Sequence, residues 1–487
     1  MSYREEQLLN NTRRNGSIVT SYNNADGNQS EKSVLQQQQP VRLQPSWEEN
    51  NLPDDELNFK NLTMDDASLQ INAPRDRYNL VYITFLIHGI GVLMPWNMFI
   101  TAKSYFSEYK LGKDYIGEEL EYGASFLQYL GFAAQVPNVI FNWLNIFMKM
   151  GGNLTTRIVW SISIEVVIFV MTIVLAMTDS RDWPGAFFWI TMVSVVVLNM
   201  VNGIYQNTIF GMAAKLPIKY TGAVVLGSNI SGTFTSLVLI LSDTFASSQR
   251  MSAIYYFITA LFVLLVCFDT YFALPLNRFY RHHELKEQKE AQIQQANNHG
   301  RQVRVPYLYV FKKALPQLWN IFFVFFCTLA VFPAVHADIK RIDDDFFISE
   351  KYFTSVTCFL TFNACAMIGS YLAGLYQFPS SKYLWIPVSL RVLYIPFFLL
   401  CNYQVELVTR ALPVLINSNW AYWIGAITLG LTSGYFSSLG MMYAPRTVEP
   451  KYASTAGMFG AAALITGIFT GILSGFIWPT LIKHVGI

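Results

Sequence analysis

From residue 79 onward the chain is a succession of apolar runs separated by short polar breaks. The runs cover 79–101, 124–148, 156–178, 186–209, 221–243, 251–274, 316–338, 353–377, 383–402, 420–443 and 453–481. Most hold 20 residues or more, and a helix of about 20 residues crosses the ~30 Å hydrocarbon core of a bilayer. Inside lipid only helices or closed barrels satisfy every backbone polar group, and the runs lack the alternation of barrel strands. The pattern predicts an all-α polytopic membrane protein with eleven transmembrane helices.

The longest break, 275–315, carries Arg278, Arg281, Lys286, Lys289, Arg301, Arg304, Lys312 and Lys313. It divides the runs into a six-helix bundle, 79–274, and a five-helix bundle, 316–487. Residues 1–78 differ from the rest, being rich in Asn, Gln and Ser with 12 acidic and 8 basic residues. They predict a disordered tail, and without an apolar core segment they are not a signal peptide. With that tail in the cytoplasm, the inside loops hold 15 Lys/Arg and 4 acids, and the outside segments 10 Lys/Arg and 14 acids. The acids gather at Glu118, Glu119 and Glu121 and at Asp343, Asp344 and Asp345. This bias follows the positive-inside rule and predicts a C-terminus outside. The sequons at Asn15, Asn28 and Asn61 would then stay unused.

Composition narrows the function classes. Hydrophobic residues make up 53% and charged residues 14%, against about a quarter charged in soluble proteins, which excludes a soluble enzyme. A net charge of +2 gives no field for nucleic acid. The cysteines (Cys267, Cys327, Cys358, Cys365 and Cys401) all lie in apolar stretches without metal-ligand spacing, so buried free thiols are expected. No catalytic motif or metal-ligand set stands out, so neither an enzyme nor a cofactor is predicted. The expected surroundings are the lipid bilayer, and no obligate protein partner is evident.

Outside the tail, loops and outside segments, three charges remain within the runs: Glu165, Asp269 and Arg391. Asp269 and Arg391 lie toward run ends, where snorkelling or a local ion pair suffices. Glu165 lies deeper and is read either as paired to a neighbouring helix or as part of a proton path. Neutral amides form stripes at helical spacing: Gln128, Gln135 and Asn142 in the second run, Asn199, Asn202 and Gln206 in the fourth, and Asn229 with Thr233 and Ser236 in the fifth. A single amide is ordinary glue between helices. Several stripes in one half favour a polar cavity. Gly467, Gly471 and Gly475 repeat every four residues, and Gly430 stands four before Gly434, as close helix packing requires.

One stretch carries more than periodicity. Pro95-Trp96-Asn97-Met98-Phe99-Ile100-Thr101-Ala102, ending at Tyr105-Phe106, resembles the first-helix signature of the equilibrative nucleoside transporters. Gly203-Ile204-Tyr205-Gln206-Asn207, Phe332-Pro333-Ala334-Val335, Phe359-Leu360-Thr361-Phe362-Asn363 and Gly434-Tyr435-Phe436-Ser437 are similar to that family in order, over about 79–481. The resemblance implies a major-facilitator-like 6+5 arrangement and facilitated, sodium-independent diffusion of nucleosides by alternating access. It implies that Leu93, Trp96, Asn97, Gln206, Phe332 and Asn363 face the substrate, that Gly227 and Gly232 are the fifth-helix glycines, and that Arg157 lies near the inner gate. Many family members place an Asp and an Arg three and seven residues after the eighth-helix Asn to grip the ribose. Here those positions are Ala366 and Ser370, while the second helix offers Gln135 and Asn138 where the family often has Met and Leu. The resemblance therefore leaves two substrates open, a nucleoside or a nucleobase or other small polar solute, beside a transport-inactive regulatory relative. Leu8-Leu9 resembles an endosomal sorting signal, but Arg4 stands where that signal wants an acid, so the plasma membrane is expected over an endosomal or lysosomal one.

Overall fold

The computed structural model describes residues 74–102, 104–117, 126–148, 154–286, 305–343, 346–404 and 410–484. The tail sequons, Leu8-Leu9, the acids at Glu118, Glu119 and Glu121, and Asp344 and Asp345 lie outside the described residues.

Helices occupy the predicted runs: α1 Leu80–Thr101, α2 Phe126–Met148, α3 Leu154–Met177, α4 Pro184–Ala213, α5 Ile218–Phe245 and α6 Gln249–Ala273 in the first half. The second half holds α7 Tyr307–Val331, α8 Thr361–Leu375, α9 Trp385–Leu399, α10 Asn419–Tyr443 and α11 Ala453–Gly475. Among the described residues, eight helical segments are long and apolar enough to cross a membrane. The segments α2, α9 and α10 fall outside that set. Amides dilute α2 and Gly and Ser dilute α10, while α9 is short and passes through a tighter turn at Arg391–Leu393.

Two boundaries differ from the sequence pattern. The seventh helix runs from Tyr307 to Val331 rather than over 316–338. It stops because Phe332 precedes Pro333, and the residue before proline is driven to the extended conformation it adopts here (φ −104°, ψ 133°). Its N-terminal turns, together with a helical stretch over 278–286, extend into the 275–315 break. The first helix is capped from within the expected tail. Asp76 accepts from Val81 N and Tyr82 N, both at 3.1 Å, and from the Tyr220 hydroxyl of α5 at 3.1 Å. A carboxylate suits a helix N-terminus because the first N–H groups have no intrahelical partners.

Pro74–Ile487 pack as one unit. One apolar core joins the halves, bringing Tyr205, Ile209 and Phe210 of α4 and Tyr220 of α5 against Ile321 of α7, Met441 of α10 and Phe459 of α11. It lies where α4 ends and α5 and α11 begin. Elsewhere the cores separate. Met98, Phe106, Phe126, Phe169 and Phe257 cluster within the first half, and Val331, Phe353, Phe398 and Tyr422 within the second. The halves are thus fused by apolar packing at one end and keep separate cores toward the other.

Candidate functional site

The first-helix signature lies over the last turns of α1, with Pro95 inside the helix. Leu93, Trp96 and Asn97 are half-buried, while Val92, Met94, Met98 and Phe99 around them are buried. The i, i+3, i+4 spacing therefore places these three on one face. Asn97 Nδ2 donates to Ser231 Oγ of α5 at 3.3 Å, and Trp96 packs against the first-half core. At the same crossing Gly227 meets α1. A Cβ there would overlap the Leu86 carbonyl and come within 3.0 Å of Gly89 Cα, so only glycine permits this approach.

The second and fourth helices bury most of the amides. Gln135, Asn138, Asn142, Asn145, Asn199, Asn202, Gln206 and Asn207 are each at most 3% exposed. Gln135 Oε1, Asn138 Oδ1, Asn199 Oδ1 and Asn202 Oδ1 find no hydrogen-bond partner among the described residues. Unsatisfied buried acceptors cost about 1–3 kcal/mol each, so these four oxygens on α2 and α4 are open to hydrogen-bond donors. Gln206 Oε1 accepts from Asn142 Nδ2 at 3.2 Å, and the buried Arg157 donates to Asn145 Oδ1 at 3.1 Å.

The second half contributes Phe332 and Asn363. Phe332 stacks on Phe362 with ring centroids 3.9 Å apart. A wider π-type turn, Ser355–Leu360, leads into α8, and Asn363 Nδ2 donates to the Phe359 carbonyl of that turn at 3.0 Å. Such turns often accompany functional positions. Asn363 Oδ1 abuts Gly232 of α5, where a Cβ would overlap it, so Gly232 lets α5 and α8 touch across the two halves.

Ala366 and Ser370 hold helices together. Ala366 is buried with its carbonyl against Gly434 of α10. Ser370 Oγ accepts from Asn229 Nδ2 of α5 at 2.6 Å and donates to the Gly434 carbonyl at 3.1 Å. The hydroxyl thus bridges α5, α8 and α10, and both positions are occupied by packing.

Arg391 corrects the expectation of a snorkelling or ion-paired side chain. It is 2% exposed, donates to Thr328 Oγ1 at 2.7 Å and to Thr432 Oγ1, and has no carboxylate partner among the described residues. Asp269, by contrast, is exposed on α6. Glu165 is fully buried and neither oxygen has a partner among the described residues, so of its two readings the pairing to a neighbouring helix is absent there. Sequence spacing alone gave no sign of Asn145 and Asn207, which sit between the second and fourth helices.

The sequence-predicted residues therefore meet in pairs: Asn97 with Ser231, Asn138 with Gly203, Gln206 with Asn142, Gly232 with Asn363, and Phe332 with Phe362. Among the described residues, no hydrogen bond joins Trp96, Gln206 and Asn363 directly. Among the described residues, one cavity of about 670 Å³ lies between α9 and α10 and one of about 270 Å³ beside Tyr105, Gln249 and Tyr256.

Residues 192–480, more than half of the chain, match the Nucleoside transporter family. The chain belongs to that family. Equilibrative nucleoside transporter 1 of Homo sapiens is 28% identical over 461 residues, covering 84% of this chain and 99% of that protein. Equilibrative nucleoside transporter 3 of Rattus norvegicus is 28% identical over 440 residues, covering 85% and 91%. Among solved structures, the major facilitator superfamily proton:xylose symporter XylE aligns with a TM-score of 0.57 at 10% identity, over 84% of this chain and 90% of that one, a likeness of fold. Family membership accords with the first-helix signature.

Proposed function

We propose that this chain carries nucleosides across a membrane by facilitated diffusion, without sodium coupling, its two halves rocking to open a central site to each side in turn. The observation that carries this reading is the family match over 192–480 together with a candidate set that is aromatic and amide in character: Leu93, Trp96, Asn97, Gln135, Asn138, Gln206, Phe332 and Asn363. Aromatic faces suit a base, and amides donate and accept along its edge and the sugar hydroxyls, without an ion to pair. A core shared at one end and separate cores at the other suit alternating access. Gly227 would lock α1 to α5 within the first half, and Gly232 would set the α5–α8 contact that changes as the halves move, with Arg157 at the closed end. We place the N-terminus in the cytoplasm, the C-terminus outside and the protein in the plasma membrane, and endosomal or lysosomal residence is the alternative address.

A second reading is favoured by Ala366 and Ser370. With Ser370 Oγ engaged by Asn229 and Gly434, no charged grip on a ribose is offered from α8, so a nucleobase or other small polar solute would be the substrate. Uptake of labelled adenosine, uridine and adenine in transporter-deficient cells separates the two. Saturable adenosine and uridine uptake supports the first reading, and uptake of adenine alone the second. Absence of flux for all three, with protein at the surface, points to a transport-inactive relative.

A further inference from the structure

Four amides and an arginine form one continuous hydrogen-bonded relay from α3 to the candidate substrate site. Arg157 Nη1 donates to Asn145 Oδ1 at 3.1 Å. Asn145 Nδ2 donates to Asn207 Oδ1 at 2.9 Å. Asn207 Nδ2 donates to Asn142 Oδ1 at 2.9 Å, and Asn142 Nδ2 to Gln206 Oε1 at 3.2 Å. Asn207 Nδ2 also donates to the Met458 carbonyl of α11 at 2.9 Å.

An amide can turn end for end, so the direction of such a chain needs an anchor. Here it has two. A guanidinium only donates, so Asn145 must show its oxygen to Arg157 and its nitrogen onward. A backbone carbonyl only accepts, so Asn207 must show its nitrogen toward Met458 and toward Asn142. Each amide then passes the same sense to the next, and Gln206 is held with its oxygen toward Asn142 and its nitrogen away. Gln206 Nε2 is the one amide atom of the relay with no partner among the described residues.

We propose that Asn142, Asn145 and Asn207 are positioning residues that fix Gln206 as a hydrogen-bond donor, so that the site selects substrates presenting an acceptor on the base. This rests on the nucleoside-carrier reading. In adenosine the acceptors on the base are the ring nitrogens N1, N3 and N7, and replacing the contacted one by C–H leaves a buried donor unpaired.

The test is competition for labelled adenosine on the purified full-length protein, using 1-deaza-, 3-deaza- and 7-deazaadenosine. In the wild type, one of the three binds about tenfold more weakly than adenosine. Asn207→Asp keeps the shape but accepts from both sides. The introduced carboxylate takes Asn145 Nδ2 and a turned Asn142 Nδ2, so Asn142 accepts from Gln206, whose oxygen then faces the substrate. In that variant the same analogue binds as well as adenosine or better. Asn142→Leu, which frees Gln206 to turn, shrinks the ratio to below about threefold and serves if the first variant does not fold. A merely structural relay would change affinity for all four ligands together. Adenosine binding without loss for any analogue, or an unchanged ratio in a folded variant, overturns the assignment. Failure of adenosine itself to bind folded wild-type protein overturns the nucleoside reading, and this one with it.

Discussion

Gly232→Ala tests whether α5 and α8 are meant to touch. A Cβ at this position would overlap Asn363 Oδ1 and lie 2.8 Å from Asn363 Cγ. Carbon atoms pack best at about 3.5–4.0 Å, so the helices must part by roughly 1 Å or Asn363 must turn. Turning costs its 3.0 Å bond to the Phe359 carbonyl, and parting strains the packing, for about 1–3 kcal/mol in all. Because the two helices belong to different halves, the penalty falls on arrangements in which they meet. Uptake per surface molecule should fall about tenfold, the effect of about 1.4 kcal/mol. The melting temperature of purified protein should fall by a few degrees. Asn363→Ala removes the obstructing amide, so in that background the added methyl should cost under about 0.5 kcal/mol, a non-additivity expected only of touching residues. An equal cost in both backgrounds would refute the steric reasoning.

Trp96→Ala should lower uptake while surface expression persists, and unchanged uptake kinetics would remove Trp96 from the site. Ser370→Ala removes an acceptor for Asn229 and a donor to the Gly434 carbonyl, so it should destabilise purified protein by about 1–3 kcal/mol, with a correspondingly lower melting temperature. A melting temperature equal to wild type would show that the bridge contributes nothing. Thr328→Val strips a partner from the buried Arg391 and should destabilise more than Arg391→Met, because Thr328 and Thr432 keep their own-helix bonds at 2.7 Å when the cation is gone. The reverse order in thermal melts would indicate that Arg391 serves something other than helix packing.

The helices and one face of the site were legible because hydrophobic periodicity reports what lipid and core exclude. Leu93, Trp96 and Asn97 share a face by spacing alone, and Asn199, Asn202 and Gln206 are buried as their stripe requires. What spacing could not supply was the partner of each polar group. Asn145 belonged to no stripe, and only the packing of α2, α3 and α4 sets it between Arg157 and Asn207. Arg391 looked close to a run end, but α9 tightens at Arg391–Leu393 and turns it inward onto hydroxyls. Ala366 and Ser370 looked like a lost clamp, and the tertiary structure gives them a packing role on Gly434. The seventh helix was misplaced by apolar length, which extends past Phe332, where the backbone preference before proline ends it.

The most direct measurement is adenosine flux in liposomes containing only the purified protein, with no ion gradient. The nucleoside-carrier account predicts saturable entry that stops when inside and outside concentrations are equal, and faster entry when the vesicles are preloaded with unlabelled adenosine. No protein-dependent entry, or accumulation that requires a sodium gradient, would contradict it.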